Sequence, residues 1–247
     1  MTSRGSTVDW TTALAEPPAG AEGARERKKR ETRQLLSSTA TQMFLERGFD
    51  AVRVTEVAAA CGVSEKTVYN YFPTKESLVL DRWDSTRASL GDALAAGTSV
   101  LQAVLDVLTA ELDAVARWLS EQEDQAGAVE AFGRFGLMLR STPSLRAHQR
   151  DAVDGLGSVL AAALAERAGL GPAEPEPQIG AHALLGLWQV RSTSLVRHLP
   201  RTRPARLTAA VMDDVRRAAA VLHSVDDLGD EPREARRSVR VRVRPHG

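Results

Sequence analysis

A single cysteine, Cys61, stands among 247 residues, which excludes an internal disulfide and any multi-thiolate metal site within one chain. Aromatics make up only 4% of the sequence, so any core must be built from Ala, Leu and Val. No stretch approaches the roughly 18 uninterrupted apolar residues that a membrane span needs. The first thirty residues lack the charged, then apolar, then small order of a secretory signal. Together these absences predict a soluble, cytoplasmic chain without a membrane anchor. The five histidines (148, 182, 198, 223 and 246) form no i, i+4 pair and follow no Cys or Glu at ligand spacing. Gly155-Leu156-Gly157 lies inside an apolar helical pattern rather than in a phosphate-binding loop. No catalytic residue, metal site or cofactor is expected.

The chain also lacks net charge, but the zero hides a segregation. Residues 25–80 carry ten Lys and Arg against seven Asp and Glu, whereas 81–230 carry fifteen against twenty. From 231 onward six Arg face two Glu. A basic excess confined to one segment is what a nucleic-acid contact requires, even where the total is neutral.

What is present is helical periodicity. Residues 1–24 have none, and read as a disordered arm. From Glu31, Leu36, Ala40, Met43 and Phe44 fall at i, i+4, i+7 and i+8 up to Gly48, the first helix. Val54, Val57, Ala58 and Cys61 repeat the spacing over a short second helix, with Gly62 as its breaker. Ser64 can cap a third, in which Val68 and Phe72 are the buried pair and Pro73 is the stop. Thr74 can cap a fourth helix from Lys75 toward Leu94. Longer amphipathic segments follow around 101–119, 124–140, 143–168, 178–198 and 205–224, with their longest break from Gly169 to Pro177. The alternating tail, Ser238 to Arg244, has no partner strand and reads as disordered.

The fold class is therefore all-α, divided into an arm (1–24), a three-helix DNA-binding domain (25–80), a larger helical regulatory and dimerisation domain (81–228) and a basic tail (229–247). Three short helices joined through a Gly-containing turn match the helix-turn-helix unit, whose second helix enters the major groove. That helix needs a buried apolar face and, opposite it, hydrogen-bond donors. Val68 and Phe72 supply the first, and Glu65, Lys66, Thr67, Tyr69, Asn70 and Tyr71 the second. Asn70 and Lys66 suit adenine N6/N7 and guanine O6/N7 edges respectively. Glu65 can accept from cytosine N4 or complement the helix N-terminus. The basic run Arg25, Arg27, Lys28, Lys29 and Arg30 precedes the first helix, either as an arm toward a groove or as a solvated helix start.

The run through Arg33, Ala40, Phe44, Gly48-Phe49, Val57-Ala58, Gly62-Val63-Ser64, Thr67, Tyr69-Asn70-Tyr71-Phe72, Lys75 and Leu78 resembles the TetR family, over about 45 residues without a gap. The resemblance implies that Ser64 and Thr67 flank the start of the reading helix, that Tyr69 and Tyr71 donate to phosphates, and that Lys75 clamps a phosphate at the next helix. One position departs from the pattern: the family usually has Thr or Ser just before helix two, where this chain has Arg53. The cap must then come from elsewhere, and Arg53 becomes a candidate phosphate contact, with Thr55 beside it in the DNA-facing set.

Beyond residue 81 the resemblance is architectural. It implies a helical domain with a small-molecule effector cavity among its central helices and a homodimer made by the last two. Candidate pocket residues are Trp83, Trp118, Phe132, Phe135, Met138 and His148, the bulky or polarisable side chains on otherwise Ala/Leu helices. Leu185 and Trp188 are candidates for the dimer seam or the layer beneath it. The expected function is a sequence-specific transcriptional regulator, a ligand-responsive repressor holding a palindromic operator as a homodimer. The rivals are a non-specific architectural DNA binder, motivated by the basic arm and tail, and an all-helical enzyme, for which no motif speaks.

Overall fold

The computed structural model describes residues 23–80 and 82–222. The expected arm, apart from Gly23 and Ala24, and the expected tail lie outside them. The described residues form ten helices and no strand: α1 (Ala24–Arg47), α2 (Val54–Ala60), α3 (Glu65–Tyr71), α4 (Ser77–Leu80), α5 (Arg82–Ala95), α6 (Val100–Glu121), α7 (Gln125–Ser141), α8 (Pro143–Ala168), α9 (Pro175–His198) and α10 (Pro204–Ala220).

Where periodicity and punctuation agree, the helices begin and end as the sequence predicts. Pro143 opens α8 at a first-turn position where its missing N–H is no loss, and Gly169 closes it with φ 62°. Two boundaries differ. The first helix begins at Ala24 rather than Glu31, so the basic run is its exposed N-terminal stretch rather than a chain segment ahead of it. The helix expected from Lys75 starts instead at Ser77, with the turn α4 described to Leu80 and α5 from Arg82 to Ala95, Asp81 lying outside the described residues. Thr74 does cap that turn: its Oγ1 accepts from the Ser77 N–H at 3.1 Å while the Ser77 hydroxyl accepts from the Thr74 N–H at 3.2 Å.

The helices gather into two compact units. One unit takes residues through Ser85 with Leu112–Ala152 and Leu199–Leu207. The other takes Thr86–Glu111, Val153–His198 and the chain from Thr208. In the first, Leu36, Ala40 and Phe44 of α1 meet Val57 of α2, Val68 of α3, Phe72 and Leu78, all at most 1% exposed, and Leu145 of α8 closes the same cluster. In the second, the core is aliphatic, with Leu90, Leu108, Leu160, Leu184 and Val211 at 1% exposure or less. No helix among the described residues is long and apolar enough to cross a membrane.

Candidate nucleic-acid interface

The α2–α3 turn follows from one glycine. Gly62 has φ 66°, a left-handed conformation that costs an L side chain about 1–2 kcal/mol. There the Val63 N–H reaches back to the Ala58 carbonyl (3.0 Å) and the Gly62 N–H to the Ala59 carbonyl (3.2 Å). This pair of bonds is the Schellman stop, which satisfies two carbonyls at the end of α2 and turns the chain sharply. Ser64 then starts α3: its hydroxyl accepts from the Thr67 N–H at 3.1 Å and lies 2.8 Å from the Thr67 hydroxyl.

On α3, Val68 is 1% exposed, and Phe72 just beyond the helix is fully buried. At 100° per residue, the positions farthest from Val68 are Lys66 and Asn70, one turn apart on one line. Both are exposed, as are Glu65 and Tyr69, the latter at 45%. Thr67 and Tyr71 are half-buried on the flanks. The structure thus brings the six predicted residues onto one short rod, with the two candidate base readers at its crest.

Arg53 precedes α2 with its side chain 82% exposed, and the missing Thr or Ser cap is replaced by Glu56. The Glu56 carboxylate accepts from the Arg53 N–H at 2.8 Å and from the Arg47 guanidinium at 2.6 Å. Those bonds, the backbone one foremost, hold the Glu56 carboxyl below its ordinary range. Thr55, in the first turn of α2, is exposed. Lys75 is more committed than the sequence suggests. Its Nζ donates to the Phe49 carbonyl at 2.6 Å and sits 4.4 Å from the Phe49 ring centre, which itself packs 4.8 Å from Phe44. Two of its three donors remain for other partners.

Sequence reasoning gives Arg33 no role, yet it supports the reading helix directly. Its guanidinium donates to the Tyr71 carbonyl at 3.0 Å and lies 4.8 Å over the Phe72 ring. Only its place in the family-like run could have drawn attention to it. Ser37, buried, similarly donates to the Leu78 carbonyl at 2.7 Å, tying α1 to α4.

The candidate pocket residues all belong to the same unit as α3. Trp118 is 1% exposed, 6.0 Å from Phe132 between ring centres, and Phe132 is 6.4 Å from Phe135. Phe135, Met138 and Trp83 pack, partly buried, against the cluster that carries α1 to α4, and His148 is half-buried. Leu185 lies in the other unit, half-buried, and lines a cleft of about 220 Å³ with Asp154, Gly157, Ser158, Gln178 and His182. Trp188 is 5% exposed and so lies inside the chain, beneath the surface of α9. In that unit α9 and α10 are joined at Asp214, 8% exposed, which accepts from the Ser194 hydroxyl at 2.9 Å. The Asp214 carboxylate also lies 3.0 Å from His198 Nε2 and pairs with Arg197 and Arg217. The Ser194 hydrogen bond leads in holding its acidity above the ordinary, against a partial opposing effect of burial, and His198 and the two arginines add to it. No group of three or more His, Cys, Asp or Glu is arranged to hold a metal ion among the described residues.

Comparison with known proteins matches residues 36–81 to the bacterial regulatory proteins of the tetR family and residues 102–223 to the MftR C-terminal domain. A Mycobacterium tuberculosis protein named as the mycofactocin biosynthesis transcriptional regulator MftR is 26% identical over 185 residues, 75% of this chain and 88% of its own length. The HTH-type transcriptional regulator TcmR of Streptomyces glaucescens is 30% identical over 152 residues, 60% of this chain and 65% of that protein. Among solved structures, NalD of Pseudomonas aeruginosa, the secondary repressor of the MexAB-OprM multidrug efflux pump, aligns with a TM-score of 0.48 at 21% identity, covering 76% of this chain and 96% of that one. With its helix-turn-helix matched from 36 to 81 and most of the remaining helices matched to a regulator's C-terminal domain, the chain belongs to the tetR family of bacterial regulatory proteins, DNA-binding regulators of transcription.

Proposed function

We propose that the protein is a ligand-responsive repressor that holds a palindromic operator as a homodimer, with α3 in the major groove. The observation that carries this reading is the crest of α3, where Lys66 and Asn70 stand exposed opposite a fully buried Val68–Phe72 seam. A rod with one side locked in a core and the other lined with donors suits base readout, which needs fixed geometry. In this reading Asn70 and Lys66 meet base edges, and Tyr69 and Tyr71 donate to phosphates. Ser64, Glu65 and Thr67 sit at the entering end, and Arg53, Thr55 and Lys75 flank the backbone.

The dimer reading is supported by α9, where Ile179, His182, Gly186, Gln189, Thr193 and Val196 form one exposed stripe at i, i+3 and i+4 spacing. Ile179 and Val196 are 68% and 51% exposed, and the small Gly186 and Thr193 between them suit a close helix approach. Release by a ligand is a population shift. Moving occupancy from 99:1 to 1:99 takes roughly 10⁴-fold preference for the released state.

Selection of genomic fragments by the purified full chain, followed by footprinting, tests the proposal. One or a few inverted repeats with half-sites about one helical turn apart, or a multiple of it, are expected. Uniform coverage that weakens only with salt would refute it in favour of a non-specific binder.

A further inference from the structure

Three buried side-chain groups in the second unit have no hydrogen-bond partner among the described residues: the Thr208 hydroxyl on α10 and, close together in sequence on α9, the indole N–H of Trp188 and the Nε–H of Arg191. Roughly nine in ten buried polar groups in folded proteins are hydrogen-bonded, so two orphans one turn apart on α9 call for an explanation. Their surroundings narrow it. The Arg191 guanidinium already has a counter-ion, since its Nη2 lies 3.4 Å from Glu111 Oε2 on α6. The other Glu111 oxygen accepts from the Thr86 hydroxyl on α5 at 2.5 Å. Thr86 is 6% exposed, and the side chains of Glu111 and Arg191 are each 16% exposed. The charges are therefore balanced and the carboxylate is held, while each of the two N–H groups still lacks an acceptor among the described residues.

The Asp214 knot in the same unit makes the contrast, because there a buried carboxylate meets a full set of donors. One turn along from the orphan cluster the side chains are apolar and buried: Leu90 on α5, Val107 and Leu108 on α6, Leu184 and Leu195 on α9.

We propose that Trp188 and Arg191, backed by Glu111 and Thr86, are the polar anchor of the effector site, and that they take a neutral oxygen acceptor on an otherwise apolar molecule, a ketone, ester or lactone carbonyl. An anion is disfavoured. It would bring a second negative charge beside Glu111, whose charge already pairs with Arg191, and buried unbalanced charge is costly. A cation is disfavoured because both empty groups are donors. This inference rests on the ligand-responsive reading above and names the chemistry of its ligand.

The test uses the full ¹⁵N-labelled chain and three probes of one ring size: acetophenone, ethylbenzene and benzoate. The Trp188 indole N–H signal is identified by its loss in Trp188→Phe. Acetophenone is expected to shift that signal downfield with saturation and to bind on the order of tenfold more tightly than ethylbenzene, the difference a hydrogen bond to an otherwise empty buried donor commands. Trp188→Phe should narrow the gap between the two by several-fold, and Glu111→Gln should improve benzoate while leaving acetophenone ahead of ethylbenzene. Equal affinity for acetophenone and ethylbenzene, benzoate as the tightest probe of the unaltered chain, or an indole signal unmoved by acetophenone would each overturn the proposal. The comparison of probes on the unaltered chain stands even if a variant fails to fold. Genomic selection keeps the two readings apart. A chain that selects an operator but leaves the indole unmoved sinks the anchor alone. A chain that binds acetophenone but selects no operator sinks the repressor and leaves the anchor standing.

Discussion

Removing the Asp214 carboxylate should destabilise the protein through one buried hydrogen bond more than through two visible ion pairs. Arg197 and Arg217 are 54% and 69% exposed, so each returns to water when the acid is lost, and each pair contributes at most about 1 kcal/mol. Ser194 is 1% exposed and its hydroxyl has Asp214 as acceptor. A hydrogen bond to a charged group is worth about 1.5–3 kcal/mol. Asp214→Ala should therefore cost about 2–4 kcal/mol, a fall in Tm on the order of 5–15 °C for a chain of this size. Asp214→Asn keeps an oxygen for Ser194 and loses the charge, so roughly half of that is expected.

The assay is thermal unfolding followed by circular dichroism, repeated in 1 M NaCl and across pH. Salt of that strength screens beyond about 3 Å, which erases the exposed arginine pairs but not the buried bond, so most of the Asp214→Ala deficit should persist. The pH sign follows from an Asp214 carboxyl held below its ordinary pKa of 3.8 in the folded state. Its contribution is complete above that value and drains away as the pH falls through the lowered one. The gap between the native chain and Asp214→Asn should be constant from neutral pH to about 5 and close only in stronger acid. A deficit below about 1 kcal/mol, or one that vanishes in salt, would refute the assignment of the buried Ser194–Asp214 bond as the principal link.

The reading helix yields further outcomes. Gly62→Ala adds a Cβ that meets nothing within 4 Å, so its cost should be the left-handed backbone alone, about 1–2 kcal/mol; a neutral or stabilising result would mean the turn is not held as described. Arg33→Met removes the bond to the Tyr71 carbonyl and the contact with Phe72, and should weaken binding to all sequences by about 5- to 30-fold with the preferred site unchanged. A shift in preferred bases would show that Arg33 reads rather than supports. Asn70→Ala should relax preference at one base pair per half-site, by about 1–3 kcal/mol, while Tyr69→Ala weakens every sequence alike; identical profiles in a binding selection would undo the division of roles.

The helices that could be read from sequence are those whose apolar period and end signals coincide. Val100–Glu121 repeats Leu and Val at helical spacing, and Pro143 and Gly169 bracket α8. The start of α1 was hidden for a physical reason. Residues 24–29 are exposed and only Arg30 is half-buried, so they leave no apolar period, and their helix is one of charges, such as Arg27 and Glu31 at 3.9 Å. Glu56 as the cap of α2 was likewise out of sight, because Arg53 breaks the usual pattern while the reciprocal half of a capping box lies three residues on. Lys66, Asn70, Tyr69 and their neighbours could be assigned to a face because a seven-residue helix with one apolar seam has only one way to lie. The regulatory part offers no such constraint. Phe135, Met138 and Trp83 look the same in sequence whether they line a cavity or, as here, pack on the core beneath the DNA-binding helices. Trp188 reads as seam or core, and that its N–H lacks an acceptor among the described residues is a property of the packing around it that no sequence pattern carries.

Each unit holds a buried polar group without a partner among the described residues, the Thr41 hydroxyl in the first and Trp188, Arg191 and Thr208 in the second, but the arrangement at the reading helix is its own. Around α3 the polar groups that set the backbone are matched: Ser64 with Thr67, Arg33 with Tyr71, Ser37 with Leu78, Lys75 with Phe49. A surface that discriminates bases has to be fixed before it meets them, since a donor displaced by an ångström no longer tells one base edge from another. In the second unit, Asp214 makes a comparably closed arrangement where α9 meets α10, yet one to two turns earlier on α9 Arg191 and Trp188 each keep an unused donor. Closed networks hold one geometry, whereas an incomplete one gains most from the molecule that completes it, because the acceptor relieves a standing penalty as well as forming a bond. On this reasoning the effector's grip is set at Trp188 and Arg191 rather than among the bulky side chains of α6 and α7. Restoring an internal acceptor there, by Leu184→Gln or Leu195→Gln, should blunt the response to acetophenone while leaving operator selection by α3 unchanged.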